Sequence, residues 1–269
     1  MNIREEKFSV KRIGLLLKRD VSSGYMNVLV IIGAIAALLL TFDILNFTIF
    51  NGGTNLTHHF DTFTAILFIG GFIATSSMFK EAHRRESAQG YLMLPASPLE
   101  KVFSRIVLSN LGWFLLTIVW YSVYTYLSAG VTELIANQHH AVFHPFFGRI
   151  WIAFAHYIVL QSIFLVGAVY FRKGQLFKTL LSLFFAGIAF SVFVMIAAHI
   201  IFAPYFTGFF MNNDSQMIGS LFENLPFRFG ENIQVLEIIS KTIYWAVIAP
   251  VAWLITYVRF REVQIKDAV

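Results

Sequence analysis

The chain has 269 residues, of which 57% are hydrophobic, and a formal net charge of +5. Charged residues make up only 13%, about half of the roughly 25% usual in soluble domains. So little polar surface cannot cover a water-soluble globule of this size; a disordered chain is excluded, and a multi-spanning membrane protein is implied.

Residues 1–25 form a basic amphipathic segment. In FSVKRIGLLLKRDV (Phe8–Val21), Val10, Ile13, Leu17 and Val21 recur at helical spacing on one face, and Lys11 and Lys18 share another. That pattern predicts a helix lying on the membrane surface, its cations among anionic head groups of membrane lipids. Charge runs through the first twenty residues, so no cleavable leader is expected. Six apolar segments then reach the ~20 residues that a helix needs to cross ~30 Å of hydrocarbon. They are 26–46, 62–79, 106–129, 150–171, 179–203 and 242–258, and residues 259–269 form a tail. The second and sixth are the shortest.

The connection between spans two and three, KEAHRRESAQGYLMLPASPLEKVFSR, is the most informative. Residues 80–89 are polar helix formers, and Gly90 ends that helix or allows a turn. Tyr91, Leu92, Met93 and Leu94 follow as an apolar cluster. Pro95 and Pro98 break the chain, and Ser97 is placed to cap a helix starting at Pro98, with Lys101 opening a basic rim. A short helix with an apolar tip reads as a docking surface for a soluble partner; the alternative is a loop folded back on the head groups. The stretch 204–239 is long yet rich in Phe, Tyr and Leu, which predicts re-entrant-like segments at the membrane interface before span six. Asn212, Asn213 and Asp214 mark a turn within it.

Lysine and arginine alternate strongly across these spans. Seventeen of the 20 fall before span one, between spans two and three, between four and five, and after six; only Arg149, Arg228 and Lys241 fall on the other side. Basic loops stay in the cytoplasm, so both termini and the 80–105 connection are expected there. The cations follow loops rather than a continuous patch, and no nucleic-acid partner is expected.

In topology the whole chain resembles the permease subunit of ABC-2 type (type V exporter-like) ABC transporters. The specific likeness lies over about residues 80–105: LPASPLEK (Leu94–Lys101) followed by Arg105 is similar to a segment after span two in many bacterial members, and Phe8–Val21 is similar to their N-terminal helix. The resemblance implies an all-α fold of six transmembrane helices in one integral membrane domain, 1–269, with an N-terminal interfacial helix. It also implies a bacterial inner-membrane location and export. The 80–101 loop becomes a coupling helix docked on a separate cytosolic ATPase subunit that carries the ATP and Mg. Carried onto this chain, the candidate contacts are Glu81, Arg84, Arg85, Glu86, Gln89, Tyr91 and Leu92, with Glu100 and Lys101 bracing the loop. Arg172–Lys178 is a second, smaller contact. One six-span subunit supplies half a pathway, so a second copy or a homologue is implied.

Other chemistry is sparse. No phosphate-binding G-x-x-x-x-G-K-[ST] loop is present, so ATP hydrolysis, and any cofactor for it, is assigned to another chain. With no cysteine, disulfides and thiolate metal sites are excluded. His58, His59, His139, His140 and His144 fall in external connections and could hold a divalent metal or contact haem, or serve as ordinary loop residues. His156, Gln161 and His199 fall within spans, where polar groups either line a pathway or bond between helices. Asp43 sits near the outer end of span one, close enough to reach water. The phenylalanines of spans three to five, such as Phe164, Phe184 and Phe193, either line a pathway or face lipid and neighbouring helices. Two further readings stand beside the permease: a membrane enzyme or metal- or haem-handling protein using the external histidines, and a non-transporting subunit that regulates an ATPase.

Overall fold

A computed structural model describes residues 9–50, 56–83, 90, 94–136, 142–206 and 237–266, and every regular element among them is helical. The elements are α1 (Val10–Phe50), α2 (Leu56–Ser77), α3 (Lys80–His83), α4 (Pro98–Val107), α5 (Trp113–Ala136), α6 (Gly148–Tyr170), α7 (Gln175–Phe206) and α8 (Ile248–Lys266). A π-helical segment, Leu108–Gly112, joins α4 to α5 without a break, and a second, Ile243–Val247, leads into α8. Six helical stretches are long and apolar enough to cross a membrane: Val28–Leu45, Thr57–His83, Pro98–Leu134, Gly148–Tyr170, Gln175–Ala197 and Glu237–Val263. The chain is thus a multi-pass membrane protein by helix length and hydropathy. The segments read as shortest, the second and sixth, each extend over 27 residues, because polar residues at their ends continue the helix beyond the apolar stretch.

The amphipathic N-terminal stretch is not a separate helix. It runs into span one as a single α1 of 41 residues, about 60 Å long at ~1.5 Å per residue. That is twice the hydrocarbon thickness, so the basic first third projects beyond it. The packed face also differs from the expected one: Ile13 and Leu16 are buried, whereas Val10 and Val21 are exposed.

The chain divides into two compact units, Met1–Leu176 with Ile248–Val269, and Phe177–Val247. In the first, α6 is the central helix, packed on α2 and α8, while α1 lies against α4 and α5. Its interior is aromatic. Phe63, Phe114, Tyr121, Phe143 and Tyr157 form one cluster; Phe79, Val102, Leu165, Val169 and Phe260 form another. Phe72 stacks on Phe164 with ring centroids 4.0 Å apart, and Phe114 on Phe154 at 3.8 Å. Phe164 therefore packs between helices. In the second unit, Phe184, Phe185, Phe190 and Phe193 along α7 are exposed, as lipid-facing side chains would be. The re-entrant-like stretch lies outside the described residues from 207 to 236.

Two adjacent glycines set the spacing of α2. A Cβ on Gly70 would collide with the Trp113 indole, and one on Gly71 with the Tyr157 ring. Trp113 also donates its Nε1–H to the Leu67 carbonyl at 3.0 Å. Gly71→Leu is expected to destabilise the bundle by about 2 kcal/mol through overpacking. Gly33→Leu, at a site with open space around it, should stay within ~0.5 kcal/mol; thermal unfolding in detergent checks the difference.

Candidate functional site

One end of the first unit gathers the starts of α1 and α4, α3, and the ends of α6 and α8. This basic end is held by two linked sets of polar contacts. The first centres on Glu100. Ser97 caps α4, and the cap is reciprocal: the Glu100 N–H donates to Ser97 Oγ at 3.2 Å, and Ser97 N–H donates to Glu100 Oε2 at 2.9 Å. Pro98 occupies the first turn, where its missing donor costs nothing. This capping box matches the sequence expectation for Ser97. The other carboxylate oxygen reaches out of the helix. Glu100 Oε1 accepts from Ser9 N–H at 2.7 Å and from the Arg12 guanidinium at 3.0 and 3.2 Å. The Ser9 carbonyl accepts the first bond of α1, so a single buried carboxylate caps two helices.

The second set centres on Arg105. Its guanidinium meets Asp20 at 3.2 Å and Glu81 at 3.4 Å, and Glu81 also meets Arg19 at 3.2 Å. The Arg105 and Asp20 side chains are 7% and 4% exposed, which removes most solvent screening from that pair. Burial raises the Asp20 pKa above the ordinary aspartate value, although Arg105 pulls it down. Together the contacts fasten α1, α3 and α4 into one block. Lys101, expected to open a basic rim, is instead buried.

From Arg105 the polar contacts continue into the bundle. The Arg105 carbonyl accepts from Ser109 Oγ at 2.7 Å, and that hydroxyl accepts from Gln161 Nε2 at 2.6 Å. Gln161 Nε2 also approaches Thr75 Oγ1 at 3.3 Å. Tyr157 donates its hydroxyl to the Ser109 carbonyl at 2.9 Å, and Asn110 Nδ2 donates to the Ile106 carbonyl at 3.0 Å. Ser109 and Asn110 lie in the π-helical segment, whose wider turn redistributes backbone carbonyls. The network joins α2, the α4–α5 junction and α6 at membrane depth, where an unbonded polar group costs most.

At the opposite end Asp43 does not face water. It is buried and accepts from Tyr124 Oη at 2.6 Å and Ser128 Oγ at 2.7 Å. Two hydroxyl donors from α5 satisfy the carboxylate that apolar surroundings would otherwise expel. His59 Nδ1 lies 3.2 Å from Tyr121 Oη. A cavity of about 80 Å³ is lined by Asp43, His58, His59 and Tyr121; another of about 110 Å³ takes in His59 and His144. Among the described residues no group of three His, Asp or Glu side chains could hold a metal ion. His139 and His140 lie outside the described residues.

The expected site residues thus fall in different places. Glu81 and Glu100 belong to the block at the basic end. Arg84, Arg85, Glu86, Gln89, Tyr91 and Leu92 lie outside the described residues. Gln161 sits at the centre of the buried network, and His156 lies half-buried on the same helix. His199 is exposed on α7 in the second unit. Arg105 is marked in the sequence only as part of the LPASPLEK likeness, and Ser9, Arg12, Arg19, Asp20, Ser109 and Tyr157 are not among the expected site residues. Arg12, Arg19 and Asp20 share a face with Ile13 and Leu16, and Asp20 is an acid in a basic stretch; that spacing is the signal that could have found them. Comparison with family models, curated proteins and solved structures returns no match.

Because the folded chain raises the Asp20 pKa, it binds the Asp20 proton more readily than the unfolded chain does. The contribution of this residue to stability therefore grows as pH falls through the raised value, and is complete below the unfolded one. Asp20→Asn should remove that acid-side gain, flattening the rise when Tm is compared with wild type from neutral pH downward. Glu100→Ala should cost about 2 kcal/mol at neutral pH, through loss of both caps, measured by denaturation in the same detergent.

Proposed function

We propose that this chain is the transmembrane permease subunit of an ATP-driven ABC transporter, working as an exporter, with ATP and Mg bound by a separate cytosolic subunit. The single observation that carries the reading is the block at the basic end. The connection between spans two and three starts from Glu81 and returns through Glu100 and Arg105, and each of these residues is tied to α1 by a charged contact of 3.4 Å or less. A partner pulling on residues 84–93 would therefore load α1, α2 and α4 together. The Arg105–Ser109–Gln161 contacts carry that load onward to α6. Coupling of this kind needs contiguous contacts between two sites and an element with two arrangements. The π-helical junction supplies the local irregularity at which a helix can change register. The LPASPLEK resemblance supports the same assignment, and it carries with it a second permease copy or homologue to complete the pathway.

In this mechanism the basic end is cytoplasmic, as the distribution of Lys and Arg favours. Closure of two ATPase subunits draws the 80–101 connections together. The rigid block converts that displacement into tilting of spans one to three, and a central pathway changes the side on which it opens.

Two experiments test the proposal. Purification in mild detergent should retain a nucleotide-binding subunit, and deletion of residues 84–93 should release it while the chain still inserts. Arg105→Ala should preserve subunit binding but lower ATPase stimulation by roughly fivefold or more, the low end of typical coupling energies. A chain that holds no nucleotide-binding subunit under any mild extraction, or an Arg105→Ala variant with wild-type stimulation, overturns the reading.

A further inference from the structure

A slot of about 500 Å³ opens between three spans of the first unit. Val28, Ile32 and Ile35 of α1 form one wall, and Trp113 and Trp120 of α5 form the other. The floor is α2, from Ala65 to Ser77. All of these residues lie within stretches that cross the membrane. Three of the slot's polar groups are already committed: Ser77 Oγ donates to the Ala74 carbonyl, Thr117 Oγ1 to the Trp113 carbonyl, and Trp113 Nε1 to the Leu67 carbonyl. With only the Trp120 indole N–H left beside them, what enters is apolar over most of its length.

Two occupants are apolar at this depth, a helix from a second copy and a lipid acyl chain. Helices in membranes approach closely through small residues that expose backbone. The small stripe on α2 is not available for that, because the Trp113 indole lies over Gly70 where a Cβ would have to go. Length favours the chain as well. Ala65 to Ser77 spans about 18 Å, close to the ~15 Å depth of one leaflet, whereas a packed transmembrane helix would use the full thickness. The slot begins at Val28 and Ser77, toward the basic end. There Lys18, Arg19, Lys80 and Arg105 outnumber Asp20 and Glu81, and Lys18 and Lys80 are exposed. Long basic side chains reach back to the interface from such positions.

We infer that this slot is a binding site for one acyl chain of an anionic phospholipid from the leaflet at the basic end, with the head group held near Lys18 and Lys80. The inference stands on the slot itself and does not require the permease assignment. A resident chain would fill the gap that α1 leaves beside α2 and α5 between its two fastened ends.

The two tryptophans make the site directly readable. In the full chain carrying Trp151→Phe, Trp245→Phe and Trp253→Phe, fluorescence reports only Trp113 and Trp120. Titration in detergent with phosphatidylglycerol brominated in mid-chain should quench this emission and saturate at a single lipid equivalent. Brominated phosphatidylcholine should need about thirtyfold more, as expected for loss of attraction to two lysines. Ala74→Phe, or the milder Ala65→Leu, should remove the saturable phase, while Val119→Phe, exposed elsewhere on α5, should leave it intact. Quenching that rises without saturation, or that survives both filling variants, overturns the site. Equal response to the two lipids overturns the head-group assignment. If the filling variants instead convert a dimer to a monomer in light scattering and leave quenching unchanged, the slot belongs to a second copy and the inference fails.

Discussion

The first unit depends on where one carboxylate is spent. Glu100 is fully buried, and a buried carboxylate is tolerated only when its lone pairs are taken. Its two oxygens divide the task. Oε2 closes the capping box of α4, and Oε1 closes the start of α1 together with the Arg12 guanidinium. The first turns of both helices carry partial positive charge from unbonded N–H groups, so one negative charge between them stabilises both. Geometry then follows: α1 and α4 must begin at the same level, and the spans that they lead into are fixed in register from that point.

The charged block and the buried network differ in mechanical character. The Glu100 caps and the Asp20–Arg105 pair resist separation because breaking them leaves buried charge. The network deeper in the bundle is built of neutral hydroxyls and amides around a π-helical turn, and it holds because an unbonded polar group buried there would be costly. Arg105 belongs to both, through its guanidinium and through its carbonyl. One residue therefore joins the charged contacts to the neutral ones.

The six crossings are legible in the sequence because hydrocarbon imposes a length and a composition that no soluble element shares. The Ser97 cap is legible because capping is local, with serine, proline and glutamate within four positions. The partners of Glu100 are not: Ser9 and Arg12 lie 91 and 88 residues away, and no local pattern encodes which helix ends meet. Asp43 shows the same limit. Its position near the end of a span predicts contact with water, yet Tyr124 and Ser128, 81 and 85 residues on, take its place. The π-helical segment is equally hidden, since LSNLG carries no proline and a single glycine that gives no cue to a widened turn. Gln161 is visible as a costly polar residue in a span, but its meaning comes only from the neighbours that α2 and the α4–α5 junction bring to it.

The extra length of α1 gives the basic end its reach. A surface helix joined to a span by a loop would move with the head groups and transmit little to the bundle. A continuous helix of about 60 Å instead joins the basic end directly to the bundle, and its first third is gripped by Glu100, Glu81 and the Asp20–Arg105 pair. The grips lie at residues 9, 12, 19 and 20, spread over about three helical turns, so they fix direction as well as position. The next part of the same helix borders the open slot with apolar side chains, Val28, Ile32 and Ile35. Beyond it Asp43 fastens α1 again, through Tyr124 and Ser128 of α5, so the helix is gripped at both ends and bordered by an apolar gap between them.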